Sequence, residues 1–143
     1  MIILNYFDLG LAKDSTMIDN IINLCNNNIK LNIYAFEATY DFYFYNKDKY
    51  FKMDNVNIYH NAVTDIDNQN IKIYKWGNRY GNTIYSEYEA KSGKPNVENY
   101  EIVQSITLSN FIKRTGIYKA YILFKSILKV IKYNNFYCKK MLK

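Results

Sequence analysis

A chain of 143 residues in which 49% are hydrophobic and 22% are charged has the length and apolar content of one globular domain, which excludes a disordered tail. The net charge of +6 comes mainly from the C-terminal stretch, since no Asp or Glu follows Glu101. The 16 tyrosines are scattered without the pattern of a base-stacking platform, so we do not expect a nucleic-acid-binding protein.

The cysteines and the first residues indicate the expected compartment. Cys25 and Cys138 fit neither a disulfide framework nor a paired zinc knuckle, so we expect a reducing environment and no metal site. The apolar opening run is interrupted by Asn5 and Asp8 and lacks a positively charged leader, which argues against a signal peptide or a membrane span. These features predict a cytoplasmic protein.

The N-terminal segment predicts a strand followed by a helix. Residues 2–9 form a short apolar run that ends at Gly10, as is typical of a strand buried on both faces. Ser15 and Thr16 provide hydroxyls for a helix N-cap, and apolar residues follow at helical spacing as far as Cys25.

The next three elements continue the alternation of strand and helix. They are a second buried strand ending at Glu37, an aromatic-rich helix, and a third strand leading to His60, over residues 29–37, 40–51 and 56–62. Strands and helices that alternate at this spacing predict βαβ units and a parallel sheet.

After Asp65 the pattern changes. Residues 71–76 alternate between apolar and polar side chains, as in an edge strand, and no helix precedes them. Residues 77–99 contain glycines and the single proline and predict a long loop. Residues 102–108 predict a further strand, which is followed by a short helix around Phe111.

The last segment predicts a basic amphipathic helix. Residues 117–133 place their lysines in one sector of a helical wheel, and apolar side chains fill the remainder. In one interpretation this helix packs on the sheet, and in another it lies on an anionic membrane surface.

Polar residues or a glycine follow each of the first three predicted strands. In doubly wound sheets the ligand lies beyond the carboxyl ends of the strands, so these tips should form one site. A glycine lets a ligand approach the backbone closely, an acid accepts from both ribose hydroxyls, and an amide donates to an adenine edge. The candidate residues for binding an adenosine cofactor are therefore Asp8, Gly10, Glu37, Asn61 and Ala62.

Other interpretations of these residues stay open. In a purely structural interpretation, Asp8 caps a helix, Glu37 is an exposed strand end and Asn61 belongs to a turn. A dinucleotide site is less suitable, because the residues after Gly10 do not supply the G-x-G-x-x-G pattern. The single histidine, His60, is interpreted as structural.

Five blocks of the sequence resemble, in their order and spacing, those of FkbM-type methyltransferases. The blocks are residues 7–10 (Phe-Asp-Leu-Gly), 34–37 (Tyr-Ala-Phe-Glu), 56–63 with Asp65, the loop that carries Ser86, and 103–108 with Phe111 and Ile112. The resemblance covers residues 3–113. It implies a class I methyltransferase fold that uses S-adenosylmethionine, commonly to methylate a hydroxyl of a sugar or a small metabolite.

The resemblance also implies roles for single residues. Asp8 and Gly10 would belong to the first cofactor motif, Glu37 would hold the ribose, and Asn61 with Ala62 would border the adenine. The chain itself supplies each of these residues at the matching position.

Two departures from the family pattern concern catalysis. Asp14 stands where the first motif usually has a second glycine, which adds bulk and charge near the methionine end of the cofactor. After Ile112 the family continues into a strand with an Asp-x-Glu-Gly pattern, whereas residues 114–117 are Arg-Thr-Gly-Ile here and contain no acid. A base that removes the hydroxyl proton assists methyl transfer, and the absent acids would have been the obvious candidates for that base. No catalytic residue is therefore assigned.

The sequence therefore predicts an α/β fold with a Rossmann-like class I methyltransferase sheet that is incomplete on its C-terminal side. We expect a partial methyltransferase domain over residues 1–113 and a basic helical tail over 114–143, which a frame disruption near residue 114 would explain. The expected function is methylation of a sugar or small-metabolite hydroxyl with S-adenosylmethionine. The alternatives are an inactive relative that serves as a binding or interaction module, and a membrane-surface protein that binds through its basic helix.

Overall fold

The computed structural model describes residues 2–13, 16–25, 27–75, 82–85, 97–117 and 121–125. The described residues form seven strands and three helices, which are β1 (Ile2–Asp8), α1 (Thr16–Leu24), β2 (Ile29–Glu37), α2 (Tyr40–Lys49), β3 (Val56–His60), β4 (Ala62–Val63), β5 (Asn70–Tyr74), β6 (Tyr100–Ile106), α3 (Leu108–Thr115) and β7 (Tyr121–Lys125).

The larger sheet is parallel throughout and has the strand order β3-β2-β1-β7. Leu4 of β1 pairs with Leu31 of β2 on one side and with Tyr121 of β7 on the other. From β1 the chain moves outward to β3 and later returns to the opposite side of β1, so the order reverses at β1. This arrangement confirms the predicted α/β class with parallel strands and is compatible with a Rossmann-like fold.

Both faces of this sheet are covered, because successive side chains of a strand point to opposite sides. Tyr6 belongs to a buried cluster with Ile18 of α1 on one face. Phe7 belongs to a second cluster, with Phe36 of β2 and Phe111 of α3, on the other. The continuous apolar runs of β1 and β2 thus follow from burial on both faces, as the sequence predicted.

A second, three-stranded sheet follows β3 and has the order β4-β6-β5. Ala62 of β4 pairs with Ser105 in parallel fashion, whereas Ile71 of β5 pairs with Val103 in antiparallel fashion. The predicted half-exposed strand after Asp65 is therefore confirmed as β5. On β6, Val103 and Ser105 are buried while the intervening residues are exposed, so this sheet buries only one face.

The predicted C-terminal helix is wrong over Tyr121–Lys125, which form strand β7 beside β1. The four apolar residues at the start of β7 are equally compatible with a buried strand and with the apolar side of a helix. The periodicity of the sequence therefore could not distinguish a strand from a helix here. Pairing with β1 favours the strand, because it satisfies backbone groups that β1 would otherwise leave open. The rest of the predicted helix, beyond Ile117, lies outside the described residues.

β7 also bears on the expectation of a sheet that is incomplete on its C-terminal side. The side of β1 away from β2 carries a parallel partner, and that partner comes from the segment assigned to a separate tail. The expected boundary after residue 113 falls inside α3, which ends at Thr115. The described sheet and the start of the tail therefore form one structure.

Candidate functional site

The carboxyl ends of β1, β2 and β3 lie at one edge of the parallel sheet. Asp8, at the end of β1, pairs with Ala35 of β2, and Glu37, at the end of β2, pairs with His60 of β3. Because the strands are parallel, the residues that follow them emerge on the same side. The fold thus brings together the tips of the three strands on which the sequence placed a site.

Asp8 is fully buried, and its carboxylate points along the strand toward Tyr6. The Tyr6 hydroxyl donates to Asp8 Oδ2 at 3.2 Å. Burial, together with the negative charge and hydrogen bond of Asp8, raises the pKa of Tyr6 well above its ordinary value. Asp8 Oδ2 thus accepts a hydrogen bond from a tyrosine two residues earlier in the same strand.

Gly10 gives the loop after β1 a backbone conformation that other residues avoid. Its φ of 153° lies outside the regions open to L-residues, which favours glycine at this position. The next residue, Leu11, is fully buried and donates its N–H to the Phe36 carbonyl at 3.2 Å. This bond holds the glycine loop against the end of β2, beside Glu37.

Glu37 is a buried carboxylate with only 8% of its surface exposed, so the interpretation as an exposed strand end is wrong. The Thr39 backbone N–H donates to Glu37 Oε1 at 2.7 Å. Burial raises the pKa of Glu37 to about 7, against the opposing effect of its hydrogen bonds with Thr39. Near neutral pH, this carboxyl is therefore poised between its charged and neutral forms.

The two residues that follow β3 make contacts that the sequence did not predict. Asn61 donates its side-chain amide to the Gln104 carbonyl at 3.1 Å, which commits part of its donor capacity to β6. Ala62 begins β4 and is buried in a cluster with Ile73 and Val103. Its side chain therefore belongs to the core of the smaller sheet and does not offer a surface to an adenine ring.

His60, the last residue of β3, packs against two aromatic side chains of α2, in agreement with a structural role. Its Nε2 lies 3.1 Å from the Ala38 carbonyl. Its ring stacks on Tyr43 with centroids 5.0 Å apart and meets the edge of Tyr40 at 5.5 Å. The histidine thus packs the end of β3 against the first turn of α2.

Two residues that the sequence analysis did not single out complete the surroundings of Glu37. The Tyr40 N–H, at the start of α2, donates to Glu101 Oε1 at 2.8 Å. Lys75 Nζ lies 2.8 Å from Glu101 Oε2. The only signal for Glu101 was an acid on the inward-facing register of a strand, two residues before the buried Val103. An acid in this position needs a hydrogen-bond or ion-pair partner, but the sequence alone does not show which residue provides it.

β7 follows α3 and pairs with β1. Its sequence is Tyr-Ile-Leu-Phe-Lys, which contains no carboxylate. Tyr121–Lys125, which belong to the segment that was predicted to be helical, therefore form a strand without acidic side chains. Asp14, which stands where the resemblance implies a glycine, and Ser86 lie outside the described residues.

A shallow groove of about 370 Å³ runs along the outer strand β3. It runs between the C-terminal end of α2 and strand β3, where Lys47, Phe51 and Tyr59 contribute to its walls. None of the predicted cofactor residues lines it. The groove therefore does not support the predicted site.

Within the described ranges, no three His, Cys, Asp or Glu side chains come together in a way that would hold a metal ion. No helix among the described residues combines the length and apolar character needed to cross a membrane. Comparison of the chain with protein-family models, with curated proteins and with solved structures finds no match.

Proposed function

We propose that this chain binds S-adenosylmethionine at the carboxyl ends of β1 and β2, and that it is a methyltransferase of the FkbM type acting on a hydroxyl of a sugar or small metabolite. The observation that carries the proposal is Glu37, a buried and hydrogen-bonded carboxylate at the end of β2, beside a glycine loop. A carboxylate here can accept hydrogen bonds from both ribose hydroxyls of an adenosine.

The strand order supports the location of this site. In open α/β sheets, ligands bind outside the carboxyl ends of the strands at the point where the order reverses. That point is β1, between β2 and β7. Gly10 follows β1 directly, and its backbone leaves room for a ligand to approach closely.

The predicted residues fit the cofactor in part. Glu37 and Gly10 have the chemistry and position that a nucleoside needs. Asn61 retains its amide oxygen and one N–H besides the bond to Gln104. Asp8 and Ala62 are buried, so in this proposal their side chains support the strand ends by packing and do not contact the cofactor.

S-adenosylmethionine would supply an electrophilic methyl group, and an acceptor hydroxyl would need to lose its proton. The chain has to hold the adenosine and orient the acceptor, and Glu37 is assigned to the first of these tasks. No described residue is assigned as the base, because β7 carries no carboxylate and His60 packs against Tyr43.

A second candidate function follows from the sequence of β7. With Tyr-Ile-Leu-Phe-Lys where the resemblance implies acids, the chain would bind the cofactor without turning it over and act as a binding module. This candidate shares the cofactor site with the first and differs only in turnover.

Calorimetric titration with S-adenosylhomocysteine at pH 8 tests the shared site, since Glu37 is mostly ionised there. We expect binding by the wild type and at least about tenfold weaker binding by Glu37→Ala, as for the loss of a charged hydrogen-bond acceptor. Asp54→Ala, which removes an exposed carboxylate from the turn before β3, should bind like the wild type. Failure of the wild type to bind at millimolar ligand would contradict the proposal.

Turnover separates the two candidate functions. Wild-type protein is incubated with S-adenosylmethionine and a panel of sugars, and S-adenosylhomocysteine is measured. Acceptor-dependent production supports the methyltransferase, whereas binding without production supports the binding module.

A further inference from the structure

The start of α2 is held by two carboxylates from different sheets. Thr39 is the N-cap residue, yet its side chain makes no capping hydrogen bond to the helix. Instead, the Thr39 N–H donates to Glu37 at 2.7 Å and the following N–H, of Tyr40, donates to Glu101 at 2.8 Å. Helix N-termini expose such N–H groups and carry partial positive charge, so both carboxylates are well placed.

Glu101 reaches the helix from a distant part of the chain. It lies 61 positions after Tyr40, on the inward-facing side of β6. Its second oxygen is 2.8 Å from Lys75 Nζ, and both side chains are largely shielded from water. Lys75 Nζ also lies 3.8 Å from Asp41 Oδ2, in the first turn of α2. The smaller sheet thereby fixes the position of the helix start.

A hydrogen-bonded chain extends this control to Glu37. The Asn82 amide donates to Thr39 Oγ1 at 2.9 Å, which orients the hydroxyl. Thr39 then contributes both its backbone and its side chain to the hydrogen bonding of Glu37. The position of Thr39 relative to β2 therefore decides how the Glu37 carboxylate is held.

We propose that Glu101 is a positioning residue for Glu37: it anchors the first N–H of α2 so that Thr39 fixes the Glu37 carboxylate for the ribose hydroxyls. This inference rests on the proposed function, because the ribose is the group for which Glu37 is positioned. Glu101 itself does not contact the ligand in this arrangement.

Glu101 also acts on Glu37 through its charge. Its negative charge raises the pKa of Glu37, in addition to the larger effect of burial. Other ionisable groups surround Glu37 on β1, on β3, in the first turn of α2 and after β5; they are Asp8, His60, Asp41 and Lys75. Neutralising Glu101 should therefore lower the pKa of Glu37 and favour its ionised form, and this direction can be tested.

Two substitutions separate the anchoring role from the charge. Glu101→Gln keeps an oxygen that can accept from Tyr40 but removes the charge, whereas Glu101→Ala removes both. Asp54→Asn, on the exposed turn before β3, removes one negative charge elsewhere and is the matched control. The Glu37 carboxyl is titrated by carbon-13 NMR in the ligand-free protein, and S-adenosylhomocysteine binding is measured by calorimetry from pH 6 to pH 8.

In Glu101→Gln, we expect the titration midpoint of Glu37 to fall, binding at pH 8 to stay within about twofold of wild type, and binding at pH 6 to become tighter. In Glu101→Ala, we expect binding to weaken about tenfold at every pH, because the helix start loses its anchor. If Glu101→Ala folds and binds S-adenosylhomocysteine as tightly as the wild type at every pH, the inference is overturned. If Glu101→Ala does not fold, a Glu37 midpoint in Glu101→Gln equal to that of wild type and of Asp54→Asn overturns it. If the midpoint falls but wild type binds no ligand, the coupling of Glu101 to Glu37 stands and the proposed function fails.

Discussion

Asn46 of α2 donates its side-chain amide to the backbone carbonyl of Ala12 at 3.1 Å, and so ties the helix to the loop that follows β1. The same amide donates to the Phe42 carbonyl one turn earlier at 2.8 Å. The Asn46 side chain is fully buried. The bond joins two segments that flank the proposed site, because the Gly10 loop and the start of α2 both lie beside Glu37.

We expect Asn46→Ala to destabilise the protein by about 1–3 kcal/mol, since it removes a fully buried side chain and leaves the Ala12 carbonyl without its donor. Asn57→Ala is the matched control, because its amide also donates to a backbone carbonyl but at 3.4 Å and from a half-buried position. Its cost should stay below about 1 kcal/mol. Urea unfolding measures both, and equal costs would contradict the assigned role of Asn46.

The raised pKa of Glu37 predicts a pH dependence of stability. Its pKa rises from 4.5 to about 7 on folding, so the folded protein retains a proton that the unfolded chain releases between these values. The contribution of Glu37 to the free energy of unfolding therefore falls as the pH rises from about 4.5 to about 7 and is constant above that. The loss is on the order of 3 kcal/mol.

Glu37→Gln removes this titration while keeping an oxygen that can accept from Thr39. Relative to wild type, we expect the variant to gain stability between pH 4.5 and pH 8, by up to about 3 kcal/mol. Urea unfolding at several pH values measures the difference, in which the other titrating groups cancel. Parallel pH profiles for the two proteins would show that Glu37 does not have the raised pKa.

Phe111 joins α3 to the sheet. Its ring meets four aromatic rings edge-on, with centroids 5.0 to 6.2 Å away, on Phe36, Tyr59, Tyr34 and Phe7. We expect Phe111→Ala to cost about 3–5 kcal/mol, because it opens a cavity where α3 covers the sheet. Phe44→Ala, whose ring on α2 is 60% exposed, should cost less than about 1 kcal/mol. Thermal unfolding compares the two, and similar costs would contradict the packing of α3.

Glycine at position 116 ends α3 in the left-handed conformation, with φ 69° and its N–H donating to the Ile112 carbonyl at 3.1 Å. A Cβ at this position would meet no atom within 4 Å, so the cost of a substitution comes from the backbone alone. We expect Gly116→Ala to cost about 1 kcal/mol and Gly116→Asn less, because Asn tolerates this conformation better. A much larger loss in urea unfolding would mean that a side chain does collide there.

The features that could be predicted are those that depend on residues close to one another in the sequence. The apolar runs of β1 and β2 show burial on both faces, and βαβ alternation then requires a parallel sheet with its strand ends together. This reasoning was sufficient to bring Gly10 and Glu37 to one edge. It did not show that Glu37 is buried, because the elements that cover it come from later in the chain.

Features that depend on distant pairing were missed. Glu101 contacts Tyr40 across 61 positions, and nothing near either residue in the sequence indicates the other. Ala62 follows β3 at the position of a site residue, yet pairing with Ser105 draws it into the smaller sheet. For β7, the local pattern favoured a helix, and only the available edge of β1 decided for a strand.

Because β7 pairs with β1, we expect a substitution that disrupts β7 to weaken the hydrogen bonding of β1 as well. Leu123 is the partner of Tyr6 in this parallel ladder. Leu123→Pro removes a backbone donor from the middle of β7, and proline is tolerated poorly inside a sheet. We expect amide hydrogen exchange in residues 4–8 of β1 to become faster in Leu123→Pro, whereas Leu123→Val, which suits a strand, leaves it near the wild-type rate. If exchange in β1 is the same in all three proteins, β7 does not pair with β1, and the C-terminal helix predicted from the sequence regains its support.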